Sequence, residues 1–165
     1  MGRSAQRRPL IKAALAGLLG AVFLPFVAMA DCEAGRVALR GDWGQATFGI
    51  ELADSAAERA EGLMNRKSLP KSAGMLFVYP KPQHATFWMR NTLIPLDMIF
   101  IDPRGQVLHV HSEAIPLDET VIDGGEGVTH VLEINGGLAK ALGIAVGSQI
   151  QHASFDQSKA LWPCR

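Results

Sequence analysis

Cysteine is scarce in this sequence: Cys32 and Cys164 are the only two. Each lies one residue inside an end of the stretch 31–165, the placement of a structural disulfide rather than of a catalytic thiol. The alternative is two unpaired thiols on frayed ends. No Gly-x-Ser-x-Gly elbow occurs, so serine nucleophile chemistry of the hydrolase type has no sequence support. There are no internal repeats and no low-complexity segment, which leaves one compact domain as the expected organisation. Acidic residues are absent before Asp31, whereas Arg3, Arg7, Arg8 and Lys12 stand there as a basic head.

That head is followed by an uncharged run from Ala13 to Ala30, ending in the small-x-small stretch Ala28-Met29-Ala30. A basic head, an apolar run and a small-residue site make a cleavable export signal over residues 1–30. Pro25 would end a helix just upstream of the site. "QRRPLIK" is close to the twin-arginine pattern, with Gln6 where Ser or Thr is usual, and Sec export fits the same residues. An uncleaved anchor is the alternative, since the run almost spans a bilayer. Asp31 ahead of Cys32 is not a lipobox.

The expected mature chain, 31–165, keeps twelve of the sixteen basic residues and all sixteen acids, a net charge of −4. That balance argues against nucleic acid or an anionic membrane surface as partner. Its 135 residues suffice for one globular domain with one core. In an exported protein the cysteine pair is expected as a Cys32–Cys164 bond.

Val37–Arg40 and Thr47–Leu52 read as strands around the turn "GDWGQ", and Ser55 with Glu58 forms a capping box that opens a short helix. "GMLFVY" from Gly74 reads as a buried strand closed by "PKPQ". Thr86–Asn91 and Leu96–Asp102 read as strands broken at Pro95. Gln106–Ser112, Thr129–Asn135 and Ser148–Ser154 are further strands, a polar loop fills Glu113–Gly127, and "GGLAKALG" is a second short helix. Residues 155–165 form a tail. The fold class is mostly β with two short helices: an antiparallel jelly-roll-like sandwich or small barrel, in a single domain.

The stretch "FWMRNTLIPLDMIFID" sets Trp88, Arg90, Asn91, Thr92 and Asp97 inside an apolar run. By strand alternation Asp97 shares a face with Ile99 and Ile101, while Leu96, Met98 and Phe100 share the other. A carboxylate in such surroundings needs partners. Arg90, Asn91, Arg66, Arg59 and the backbone amides near Pro95 are on offer. Glu133, in "THVLEIN" beside Val131, is a second carboxylate inside an apolar strand. The two could serve as acid and base for glycoside chemistry; the bland alternative is that each neutralises an arginine. His109 and His111 stand at i and i+2, the spacing of a two-histidine metal site, with Glu113, His130 or His84 as third ligand. Leu108 and Val110 look like the inward pair, however, which turns both histidines to solvent. "DETVIDGGEG" has no calcium-loop spacing.

"ERAEGLMNRKSLPKSAGMLFVY", "FWMRNTLIPLDMIFID" and "HVLEINGG", with the glycines of "LGIAVGSQI", resemble the domain of unknown function 192 family over roughly Val37–Ile150. The resemblance implies a compact, mostly β, often exported domain, and no established reaction. It places the family's polar signature on Arg59, Arg66, Trp88, Arg90, Asn91, Thr92, Asp97 and Glu133. Its apolar signature falls on Leu63, Met64, Met75, Leu76, Phe77 and Met89.

The expected function is a periplasmic or secreted binding module. It would hold a small polar ligand or an envelope glycan near Trp88 and Asp97, with Arg90, Asn91, Thr92 and Arg66 contributing polar contacts. No cofactor is expected, and no stable membrane anchor once the signal is removed. An enzyme acting through Asp97 and Glu133, or through a metal at His109 and His111, is the second reading. A structural or assembly factor without a ligand is the third.

Overall fold

The computed structural model describes residues 1–2 and 32–164. The expected export signal lies outside the described residues apart from its first two positions. Among the described residues seven strands form one sheet: β1 (Arg36–Gly41), β2 (Gly44–Ala53), β3 (Ala73–Phe87), β4 (Leu96–Ile101), β5 (Val107–Ala114), β6 (Ile122–Asn135) and β7 (Gln149–Gln151). Two short helices accompany them, α1 (Ala56–Glu61) and α2 (Leu138–Leu142). The strand order is β5-β4-β6-β3-β2-β1-β7.

The sheet curls until its edges touch. Gln106, at the entry to β5, bridges Gln149 of β7, and the Val107 amide donates to the Ser148 carbonyl at 2.9 Å. The result is a half-barrel, mostly β, in a single domain, as the strand and turn signals implied. All pairings are antiparallel except β2 with β3. That parallel pair requires a crossover, and α1 lies in it.

Period-two alternation separates two apolar clusters. The inner one takes residues from every strand, among them Val37, Phe48, Leu76, Ile99, Val107, Leu132 and Ile150, and Ala139 of α2 packs into it. The outer one holds Met75, Phe77, Met98, Phe100 and Val131, covered by Leu63 and Met89. β4, β6 and β3 therefore bury both faces.

α1 begins as its capping box requires: the Glu58 amide donates to Ser55 Oγ at 3.2 Å, and the Ser55 amide donates to Glu58 Oε2 at 2.9 Å. It stops at Gly62, whose φ of 52° is in the left-handed region that favours glycine. The chain then turns so that Leu63 drops onto the outer cluster.

Four expected elements differ. "PKPQ" does not close a strand, because β3 continues through it; the register against β6 shifts between Val78 and Gln83, so Pro80 and Pro82 fall where no ladder partner is lost. Thr86–Asn91 is not a separate strand. β3 ends at Phe87 and a turn follows, closed by the Thr92 amide donating to the Met89 carbonyl at 3.0 Å. Asn91 accepts the left-handed φ of 55° that this turn imposes. The loop Glu113–Gly127 is shorter than expected, since β6 starts at Ile122 and "DGGEG" joins it through further register shifts. The last strand is only Gln149–Gln151.

The ends are joined by a Cys32–Cys164 disulfide, with Cα atoms 5.5 Å apart and a sequence separation of 132. Beside it, buried His152 donates from Nε2 to the Ala34 carbonyl (2.9 Å), and Ser154 Oγ lies within hydrogen-bond distance of His152 Nδ1 (2.7 Å) and His130 Nε2 (3.0 Å). Burial pushes the His130 imidazole down to about 3. Among the described residues no helix is long and apolar enough to cross a membrane.

Candidate functional site

Asp97 is fully buried, on the inner face with Ile99 and Ile101. Its partners are backbone amides, not arginines. Oδ1 accepts from Glu113 N at 2.7 Å and Gly137 N at 2.9 Å, and Oδ2 accepts from Ala139 N at 2.7 Å. Gly137, the residue before α2, has no side chain to cap the first amides of that helix. Asp97 supplies the acceptor from β4 instead, and ties the end of β5 to α2 in the same stroke. All three donors are internal to the fold.

Glu133 faces the opposite way. Its cross-strand neighbours are Met75 and Met98, so it belongs to the outer face, whereas Asp97 pairs with Ile134 and belongs to the inner one. The expectation that these two carboxylates work together therefore fails on geometry: the sheet separates them. Nor does Glu133 neutralise an arginine. It is 4% exposed, and its Oε2 has no hydrogen-bond partner among the described residues. Burial alone pushes its carboxyl up to about 8.

Glu133 forms part of the wall of a cavity of about 180 Å³ between α1, β3 and the turn after β3. Trp88, Thr92, Phe77, Phe87, Tyr79, Arg59 and Glu61 also line it. Trp88 is 45% exposed at the rim, with the Arg90 guanidinium 5.4 Å from its ring centroid. Arg59 donates from Nη1 to the Val78 carbonyl at 2.8 Å and to the Asp54 carbonyl, and its guanidinium lies 5.2 Å from the centre of the Tyr79 ring. Burial raises the Tyr79 phenol, and Arg59 partly offsets the rise. A cleft of about 640 Å³ beside Trp43 is more open, and it lies away from Glu133 Oε2, the buried side-chain polar atom without a partner among the described residues.

Of the residues expected at a ligand site, the fold brings Trp88 and Thr92 to this cavity, where they meet Glu133, expected instead as a catalytic candidate. Arg90 sits beside Trp88 but outside the lining. Asn91 is held in its turn, its carbonyl accepting from Asn65 N at 2.7 Å. Arg66 makes a two-pronged ion pair with Glu51, one prong at 2.7 Å, and this pairing lowers the Glu51 carboxyl. Asp97 is not in the cavity wall. Tyr79 and Phe87 were missed, although Tyr79 is the one tyrosine of the chain and continues the alternation of Met75 and Phe77.

Among the described residues no third side chain joins His109 and His111 as a metal ligand. His109 is exposed and stacked on Phe100, with ring centroids 5.7 Å apart. His130 is enclosed in its own network, and His84 lies between Glu126 at 2.9 Å and Asp123 at 2.8 Å. Among the described residues no group of three or more His, Cys, Asp or Glu side chains is arranged to hold a metal ion.

Comparison with known proteins agrees with this architecture. A protein of unknown function from Novosphingobium aromaticivorans DSM 12444 is 45% identical, with 70% of this chain and 82% of that chain covered and a TM-score of 0.69. A "putative transcription regulator" from Sinorhizobium meliloti 1021 is 36% identical, covering 73% of this chain and 95% of that one, also at a TM-score of 0.69. No curated protein matches the chain. The model of the DUF192 family, described as uncharacterized ACR, matches residues 37–152, most of the folded domain, and the chain belongs to that family.

Proposed function

We propose that this domain is a binding module, and that the cavity beside Trp88 and Glu133 is where its ligand sits. One observation carries the reading: a buried carboxyl with a partnerless oxygen borders a cavity lined by aromatic rings. Leaving a buried polar atom unpaired is costly, and native proteins keep such groups rarely. A concave, mostly apolar site with a few convergent polar groups is the common form of a small-molecule pocket. The volume of about 180 Å³ suits a small polar molecule or one terminal sugar ring, with Trp88 as the face on which that ring stacks. Asp97 has no part in binding here; it positions α2.

The basic head, the apolar run and the Cys32–Cys164 bond support export to an oxidising compartment. The regulator name of the Sinorhizobium relative would call for nucleic acid as partner. The acidic balance of residues 31–165 argues against that for this chain.

The test is a nuclear magnetic resonance titration of the purified protein with a panel of small anionic, neutral and cationic compounds, including monosaccharides. Saturable shifts confined to Trp88, Tyr79 and Glu133 are the expected result. Silence of these residues across the panel, or shifts at the Trp43 cleft alone, would overturn the reading.

A further inference from the structure

We propose that the group held at Glu133 is a cationic amine: a ligand bearing an alkylammonium that pairs with this carboxylate between the aromatic rings. The assignment rests on the cavity being a binding site and names the chemistry it selects. With Glu133 ionised, the ionisable lining carries two carboxylates, Glu133 and Glu61, against one guanidinium, Arg59. A single positive charge balances that lining, from which Arg90, over the Trp88 ring, is absent; an anion would have to approach a buried carboxyl.

The rings favour the same sign. Aromatic faces attract cations, and two of the rings that line the cavity already carry one, Tyr79 under Arg59 and Trp88 under Arg90. Arg59 is anchored to main-chain carbonyls and does not reach Glu133, whose Oε2 is left without a donor. An ammonium can donate up to three hydrogen bonds, so it can satisfy that oxygen and still meet the rings.

Binding moves one proton. Burial alone keeps Glu133 protonated near neutral pH, and a ligand that arrives as an ammonium displaces that proton to solvent. Affinity should therefore increase as pH rises from 6 toward 8 and level off above. The ionisable groups facing Glu133 are Arg59 and Glu61 from α1 and Tyr79 from β3, while its cross-strand neighbours are methionines. Comparing the slope of the parent with that of Glu133→Gln isolates the contribution of Glu133.

Calorimetric and resonance titrations with propylammonium and methylammonium, against propanol and propionate, decide the matter. The expected result is at least a tenfold preference for the cations, increasing with pH, which Glu133→Gln abolishes while the melting temperature is kept or raised. Trp88→Ala should weaken cation binding and leave its pH slope intact. Equal or tighter binding of propanol or propionate at these residues would sink the amine assignment and leave the cavity as a site for another ligand. A preference for cations that survives Glu133→Gln would also contradict it. If no probe of any charge binds, the assignment and the binding reading fall together.

Discussion

Asp97 and Glu133 lie on neighbouring strands, one register position apart, and face opposite sides of the sheet: Asp97 pairs with Ile134, Glu133 with Met98. Both are buried carboxylates in apolar strands, yet their surroundings give them opposite roles. Asp97 meets three amide donors and holds α2 and β5 in place. Glu133 Oε2 meets none among the described residues, and the side chain borders a cavity.

Removing the Asp97 acceptors should be costly for the fold. Asp97→Ala leaves three backbone donors without their acceptor, the Ala139 amide in a buried position, a loss of about 3–5 kcal/mol. Asp97→Asn should cost less, since the amide keeps one acceptor, but its NH₂ group must face at least one N–H donor. Urea unfolding of the two variants checks the order. An Asp97→Ala protein as stable as its parent would show that the cap does not hold the fold.

Glu133 should make stability depend on pH in the opposite sense from a salt-bridged acid. Folding raises its pKa from 4.5 to about 8, so between these values the unfolded chain ionises while the native chain keeps its proton. Native stability is therefore lost as pH rises through this window, by about 3–5 kcal/mol from this group. Glu133→Gln has no such loss. The stability gap between variant and parent should widen by that amount between pH 4.5 and 8, measured by denaturant melts across the range. A constant gap would mean that Glu133 is hydrated or paired.

The disulfide should stabilise chiefly by restricting the unfolded chain. Closing a loop with 132 positions of separation gives about 4–5 kcal/mol as an upper figure. Reduction should lower the melting temperature by roughly 10 °C or more. Calorimetry with and without reductant tests this, and an unchanged transition would leave the bond without a structural role.

Trp88→Ala separates a rim residue from a core residue. Because Trp88 is 45% exposed, its loss should cost about 1 kcal/mol rather than the 3–5 expected for a core tryptophan. Ligand-induced shifts at Tyr79 should weaken at the same time. A large stability loss with binding intact would reverse its assigned role.

Much of this was legible in the residues. Ser55 and Glu58 announced α1, alternation placed Asp97 and Met98 on their correct faces, and the need of Asp97 for partners followed from its neighbours. The identity of those partners did not. Backbone amides of Glu113, Gly137 and Ala139 carry no residue-type signature, and they come from far along the chain. The cavity was half visible: Trp88, Thr92 and Glu133 stood out as polar or large residues in apolar runs. Tyr79 and Phe87 joined them only through β3 continuing past two prolines, and that depends on register shifts against β6 which no local pattern encodes. Arg90 and Asn91 looked like strand residues because the run around them is apolar; the turn that removes them rests on the left-handed conformation of Asn91.

The measurement closest to the central claim is the titration of the Glu133 side-chain carbon by nuclear magnetic resonance, in the free protein and with excess propylammonium. The expected midpoint is near 8 without the amine, with a clear downward shift in its presence. A midpoint near the ordinary 4.5 in the free protein, unmoved by the amine, would contradict it.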